Sequence, residues 1–164
     1  MESLIKENIK QQRVIIALTI FLLAMWIPVV IDKWTHFELF KSGMMNQPMP
    51  GQLNRFLVYL LPAFESLTVL LLIIGRTRML GLWFSLVLMF LFTGYVGLAL
   101  IGIWEKLPCS CGSVIKSLSW KQHFIFNLSF LILSAYGLKK SYQNKAPYIS
   151  DTERQGLVGQ KTML

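Results

Sequence analysis

Two cysteines one residue apart are the residues in this chain best suited to chemistry. Cys109 and Cys111 are its only cysteines, and they lie in the polar segment Pro108-Cys109-Ser110-Cys111-Gly112 between two long apolar runs. Residues at this spacing in a turn can bring their Cα atoms within the range that a disulfide requires. Because the ring is small, the disulfide is strained, and strained exposed disulfides are labile or catalytic. The spacing therefore favours reversible thiol–disulfide exchange.

Two other roles stay open for the cysteine pair. Cys109 and Cys111 could ligate a metal together with His123, but a fourth ligand is missing, since His36 is distant in sequence. We therefore predict no metal site. The two thiols could also be inert. A structural staple is disfavoured, because so short a loop removes little entropy from the unfolded chain.

Glu65 is the second candidate, because it is the only charged residue in the apolar run 56–74. A charged side chain at the centre of a bilayer costs about 3 kcal/mol or more, so we expect Glu65 to face other helices and to be protonated or paired. Its function could be to relay protons or to bind a ligand such as a quinone. An interhelical hydrogen bond that only stabilises the protein is an equally good interpretation.

His123 is the third candidate, because it follows the cysteine segment and shares a helical face with Asn127. An imidazole there could help to deprotonate a thiol or carry protons. The alternative, which the pattern favours slightly, is that His123 anchors the end of a helix at the lipid headgroups.

Four apolar runs must position these residues. The chain has 54% hydrophobic and 15% charged residues, which is more apolar than soluble proteins usually are. A helix needs about 20 apolar residues to cross a bilayer, and the candidate spans are 14–31, 56–74, 79–104 and 121–138. The sequence therefore predicts an all-α membrane protein, built as a bundle of four transmembrane helices.

The remaining segments flank this predicted transmembrane domain of residues 14–138. Residues 1–13 are polar and form the predicted cytoplasmic N-terminal segment, and residues 139–164 form a polar, flexible cytoplasmic tail. In the first outer loop, apolar residues from Trp34 to Phe40 suggest an interfacial helix. Pro48 and Pro50 must end that helix in a turn.

Basic residues predict the orientation. The chain has 16 lysines and arginines and a formal charge of +8, and the tight turn 75–78 contains Arg76 and Arg78. Because basic residues favour the cytoplasmic side, both termini are predicted inside and the cysteine segment outside. This arrangement indicates a bacterial inner membrane, with the cysteines in the oxidising periplasm. The basic residues border apolar runs and suit anionic lipid headgroups, so nucleic-acid binding is not expected.

Several of these motifs together resemble the MauE/DoxX-like family of redox-associated membrane proteins, in its Bacteroidota branch. The resemblance covers roughly residues 14–138. It is carried by the Pro-Ala-Phe-Glu element at 62–65, the turn Arg-Thr-Arg-Met-Leu-Gly at 76–81, the segment Leu-Pro-Cys-Ser-Cys-Gly at 107–112, and Leu-Ser-Trp-Lys-Gln-His at 118–123. Family members commonly carry two glycines after the second cysteine, whereas this chain has Gly112-Ser113. The resemblance implies that Cys109 and Cys111 are a redox pair supported by Glu65 and His123.

Two functions compete at this point. In the first, the chain exchanges electrons with a thioredoxin-like partner in the periplasm or aids the maturation of an envelope protein. Such a system usually needs a second cysteine pair, so this chain would be one component of a thiol–disulfide oxidoreductase. In the second, the chain is a non-catalytic membrane subunit or assembly factor of a larger envelope complex. The sequence identifies no cofactor with certainty, and a quinone near Glu65 would suit the first function.

Overall fold

The protein is described by a computed structural model that covers residues 2–103 and 119–161. These residues contain no strand and form five helices: α1 (Glu2–Thr35), α2 (Phe37–Met45), α3 (Gly51–Ile73), α4 (Arg78–Leu100) and α5 (Trp120–Lys161). The predicted all-α class is therefore confirmed. Cys109 and Cys111 lie outside the described residues.

The long helices bury narrow stripes of side chains at alternating spacings of three and four residues. This spacing keeps one face of a helix against its neighbours. On α1 the stripe consists of Ile15, Thr19, Leu22, Trp26, Val29 and Lys33, and on α5 it includes His123, Asn127, Phe130, Ser134 and Leu138. Polar residues thus occupy core positions in both stripes.

The four long helices pack as an antiparallel bundle in which α1 and α4 each contact α3 and α5. Gly97 faces Phe124 and Gly137 faces Leu82, which shows that α4 and α5 run in opposite directions. Consequently α4 ends beside the start of α5. We call this end of the bundle the cysteine end, because residues 104–118 connect α4 to α5 there.

Three of the described helices are long and apolar enough to cross a membrane. These candidate spans are Ile9–Thr35 within α1, Gly51–Ile73 and Arg78–Leu100. They agree with the first three predicted spans. Helix α5 is not among them, so the fourth span at 121–138 stays a prediction, as does the orientation of the termini.

A buried chain of hydrogen bonds connects three helices near the middle of the bundle. The Trp26 indole of α1 donates to Ser85 Oγ of α4 at 3.0 Å. Ser85 Oγ in turn lies 3.0 Å from Ser134 Oγ of α5. Because all three side chains are buried, these bonds fix the register of the helices in a setting without competing water.

The two segments that flank the predicted transmembrane domain are more helical than their polar composition indicates. Helix α1 begins at Glu2, so the predicted segment 1–13 continues directly into the first apolar run, and α5 continues to Lys161 through most of the predicted tail. Extending an existing helix costs far less than starting one. Helix α2 occupies the predicted position in the first loop, where Phe40 and Met44 pack against Val58 of α3.

Helices α3 and α4 approach each other closely at Gly81. A Cβ atom at this position would lie 2.8 Å from the Leu72 backbone nitrogen and 2.9 Å from the Leu71 carbonyl carbon. Backbone atoms cannot move aside as a flexible side chain can. Only glycine therefore permits this separation of the two helices.

Replacing Gly81 with alanine is expected to lower the free energy of unfolding by about 1–3 kcal/mol, because overpacking forces the helices apart. Gly94 lies in the same helix, and a Cβ there would meet no atom within 4 Å. Thermal unfolding of Gly81→Ala and Gly94→Ala in nanodiscs checks this. Equal stability of the two variants would show that the close approach of α3 and α4 is not required.

Candidate functional site

An ion pair between α1 and α3 lies at the centre of the candidate site. Lys33 Nζ donates a hydrogen bond to Glu65 Oε1. The Lys33 side chain is 2% exposed and that of Glu65 is 0% exposed. Removing two charges from water is expensive, and close contact between the charges offsets that cost only in part. Apolar side chains would pack α1 against α3 without this cost, so packing alone does not explain the ion pair.

Two aromatic rings enclose the Lys33 ammonium group. Its Nζ atom lies 5.2 Å from the centre of the Phe40 ring and 5.4 Å from that of Phe92. Both distances fall within the range of a cation–π interaction, which stabilises a desolvated cation by about 2 kcal/mol. Helices α2 and α4 thus help α3 to hold the charge of Lys33.

Among the described residues, none donates a hydrogen bond to the second carboxylate oxygen of Glu65. Oε2 is buried and accepts no hydrogen bond from the described residues. A buried acceptor that lacks a hydrogen bond lowers the stability of a folded protein by about 1–3 kcal/mol. Since Glu65 lines a cavity, a hydroxyl or N–H group entering that cavity can satisfy Oε2.

The cavity has a volume of about 320 Å³ and lies between the helices of the bundle. This volume falls at the lower end of the range for pockets that bind small molecules. Most of the lining is apolar, and four methionines contribute to it: Met25, Met44, Met49 and Met89. Methionine side chains adapt to ligands of different shapes.

Four further polar residues line the cavity: Gln47, Tyr95, His123 and Asn127. The Tyr95 hydroxyl donates to Gln47 Oε1, which joins α4 to the turn after α2. Asn54 Nδ2 donates to the Gln47 carbonyl oxygen at 3.1 Å and so fixes the same turn to α3. The cavity thus combines apolar walls with polar groups held by several elements.

A glycine turn ends α4 just before the cysteine segment. Gly102 has a φ of +79°, a left-handed conformation that glycine adopts without steric cost. Its N–H bonds to the Ala99 carbonyl at 3.1 Å, and the Ile103 N–H bonds to the Leu98 carbonyl at 3.5 Å. These two bonds form a Schellman motif.

A capping box begins α5 just after the cysteine segment. The Ser119 N–H donates to Gln122 Oε1 at 2.9 Å, and the Gln122 N–H donates to Ser119 Oγ at 3.4 Å. Reciprocal bonds of this kind satisfy N–H groups at the start of a helix. Residues 104–118 are thus bounded by two defined helix ends, and the capping box places His123 in the first turns of α5.

The structure brings two predicted site residues to the same cavity, Glu65 and His123. Glu65 faces the bundle, as expected. His123 is 2% exposed, so it is a core residue as well as one near a helix end. The described residues contain no group of three His, Cys, Asp or Glu side chains that could hold a metal, and His36 lies beside Asp32 at 3.1 Å.

Lys33 is the main residue that sequence reasoning missed. It follows the first apolar run, where a basic residue is typical of the flank of a membrane span. Its spacing of four residues from Val29 continues the buried stripe of α1. That periodicity was the signal that could have identified it.

Removing one partner of the ion pair is expected to be far more harmful than replacing both. Lys33→Met or Glu65→Leu alone leaves an uncompensated buried charge, so each should lower the free energy of unfolding by about 3–5 kcal/mol. The double variant should recover most of that loss. Unfolding of the three variants in detergent measures the coupling.

The exposed pair Lys41 and Glu38, whose charged atoms are 3.6 Å apart, provides the control. Lys41→Met should change stability by less than about 1 kcal/mol. If the double variant at Lys33 and Glu65 loses as much free energy of unfolding as the two single variants together, the two residues are not coupled.

The model of one protein family, described as methylamine utilisation protein MauE, matches residues 11–140. A comparison with curated proteins found no match, and a comparison with solved structures found none either. The matched range contains Lys33, Glu65, His123 and the cysteine segment. Together with the apolar helices, it identifies a multi-pass membrane protein. Since the match extends over most of the chain and confirms the resemblance, the protein belongs to the MauE family.

Proposed function

We propose that this protein supports thiol–disulfide exchange at the periplasmic face of a bacterial inner membrane, with Cys109 and Cys111 as the redox pair. One observation carries the proposal. Both helices that flank the cysteine segment line the cavity of the buried ion pair, α4 through Tyr95 and α5 through His123. A redox pair in the segment that joins two helices lining this cavity is an arrangement suited to coupled electron and proton transfer.

The exchange reaction needs a second protein. A thiolate of the pair attacks a sulfur of the partner's disulfide and forms a mixed disulfide, while the partner's other sulfur leaves as a thiolate. The second thiolate of the pair then attacks the mixed disulfide, which releases the reduced partner. Two electrons have moved to the partner, and the pair is a disulfide. The same intermediate serves the reverse direction, and a thioredoxin-like or envelope protein fits the role of partner.

His123 and Glu65 support this chemistry in the proposal. His123 lies one turn into α5, and a neutral imidazole there can accept a proton released by a thiol. The N-terminus of α5 carries a partial positive charge that favours nearby thiolates. Glu65 lies deeper in the bundle and is the carboxylate that can receive protons from the cavity.

The proposed topology has four spans, formed by α1, α3, α4 and residues 121–138 of α5. Residues 1–13 and 139–164 are then cytoplasmic, and α2 lies at the periplasmic interface. The antiparallel packing of the four helices supports this arrangement. Arg76 and Arg78 also lie at the end of the bundle opposite the cysteine end, where the positive-inside rule requires them.

Single cysteine variants should trap the partner. In Cys109→Ser or Cys111→Ser, one thiol remains to form the mixed disulfide, but the second thiol that resolves it is missing. One of the two variants should therefore carry a second protein in a dithiothreitol-sensitive adduct, several-fold above the wild-type level. Acid-quenched membranes run on non-reducing gels provide the measurement.

Ser110→Ala and the double cysteine variant are the controls. The first should behave as wild type, and the second should form no adduct. If neither single variant forms an adduct, the exchange reaction is refuted. A partner that co-purifies equally with the double variant under reducing conditions would instead identify a non-catalytic subunit of an envelope complex.

A further inference from the structure

The cavity beside the ion pair combines apolar walls with a few polar groups, which is the composition typical of small-molecule sites. We propose that it binds a quinone from the lipid phase, a planar ring with two carbonyl oxygens. This inference deepens the proposed function, because a quinone is an electron acceptor that a single cysteine pair lacks. The binding step, however, rests on the described residues alone.

The walls of the cavity suit a flat apolar ring. Trp26, Phe40, Phe92 and Phe126 line it together with the methionines. Aromatic rings interact with one another through offset or edge-to-face contacts. The volume of about 320 Å³ is large enough for a substituted ring. An isoprenoid tail can extend beyond the cavity between the exposed apolar faces of the helices.

The ion pair offers the two hydrogen-bonding functions that the two redox forms of the ligand need. A quinone oxygen accepts hydrogen bonds, and the Lys33 ammonium group has three N–H donors. A quinol oxygen also donates, and the buried Glu65 Oε2 atom has no donor among the described residues. One ion pair can thus bind the oxidised and the reduced ring without moving.

Polar groups elsewhere in the lining can bind the second oxygen of the ring. Asn127 carries an amide that donates and accepts, and it lies one turn beyond His123 on α5. Tyr95 contributes a hydroxyl oxygen from α4. These residues belong to the two helices that the cysteine segment connects.

Other occupants of the cavity fit these residues less well. A lipid acyl chain has no group that pairs with Lys33 or Glu65. The desolvation free energy of these charges would therefore not be offset by binding it. An inorganic anion would meet apolar walls and the Glu65 carboxylate. A neutral ring with carbonyl oxygens satisfies both the apolar walls and the ion pair.

The electron balance of the proposed reaction closes with this ligand. Oxidation of the Cys109 and Cys111 thiols forms one S–S bond and releases two protons and two electrons. One quinone takes up both protons and both electrons and becomes a quinol with two new O–H bonds. The cysteine pair is then ready to accept two electrons from a reduced partner.

Tryptophan fluorescence can measure the binding directly. The full-length protein in nanodiscs contains five tryptophans, of which Trp26 lines the cavity, and quinones quench indole emission on contact. Titration with decylubiquinone should give saturable quenching. Leu61→Phe fills part of the cavity and should weaken binding at least tenfold. Leu70→Phe, on an exposed face of the same helix, should bind as the wild type does.

Lys33→Met should also weaken binding. If Lys33→Met fails to fold, Leu61→Phe still tests the cavity, because it leaves the ion pair intact. Decylbenzene, which has the tail and a ring but no carbonyl oxygens, should not displace decylubiquinone. Equal quenching of wild type and Leu61→Phe, or displacement by decylbenzene at the same concentration, would overturn the proposal. Loss of quinone binding alone leaves the mixed-disulfide result intact, so the two proposals fail separately.

Discussion

The buried ion pair between Lys33 and Glu65 is the interaction on which the arrangement of the candidate site depends. It fixes the end of α1 against the middle of α3, because neither charge can be left alone in so apolar a setting. The aromatic rings of Phe40 and Phe92 then bring α2 and α4 to the same point. Four elements thus meet around one charge.

The rest of the bundle keeps that meeting point in register. The hydrogen bonds from Trp26 through Ser85 to Ser134 join α1, α4 and α5, and Gly81 brings α3 and α4 into close contact. Between this layer and the cysteine end, the helices form the walls of the cavity. Helices α4 and α5 are joined there by the cysteine segment. The proposed chemistry therefore belongs to the end of the bundle that the cysteine segment connects.

Much of the fold was predictable from the sequence, since length and apolar character identify the first three spans, and cost alone requires Glu65 to face other helices. The helix α2 was likewise evident from Phe37 and Phe40. The partner of Glu65 was not predictable, because the pairing depends on the register of α1 against α3. Lys33 also resembles any basic residue at the end of a span. The bond from Tyr95 to Gln47 joins residues 48 positions apart and depends equally on packing. The spacing of the two cysteines suggested a reaction but gave no information on the cavity beside their segment.

The most direct test of the central claim couples the cysteine pair to the cavity in a single reaction. Fully reduced protein in nanodiscs is mixed with decylubiquinone, and free thiols are counted by maleimide labelling and mass spectrometry while quinol formation is followed by absorbance. We expect both thiols to disappear as one quinol forms per protein, with Leu61→Phe at least tenfold slower and the double cysteine variant inactive. If quinone binds but Cys109 and Cys111 both stay reactive toward maleimide, the cavity and the cysteines do not form one site.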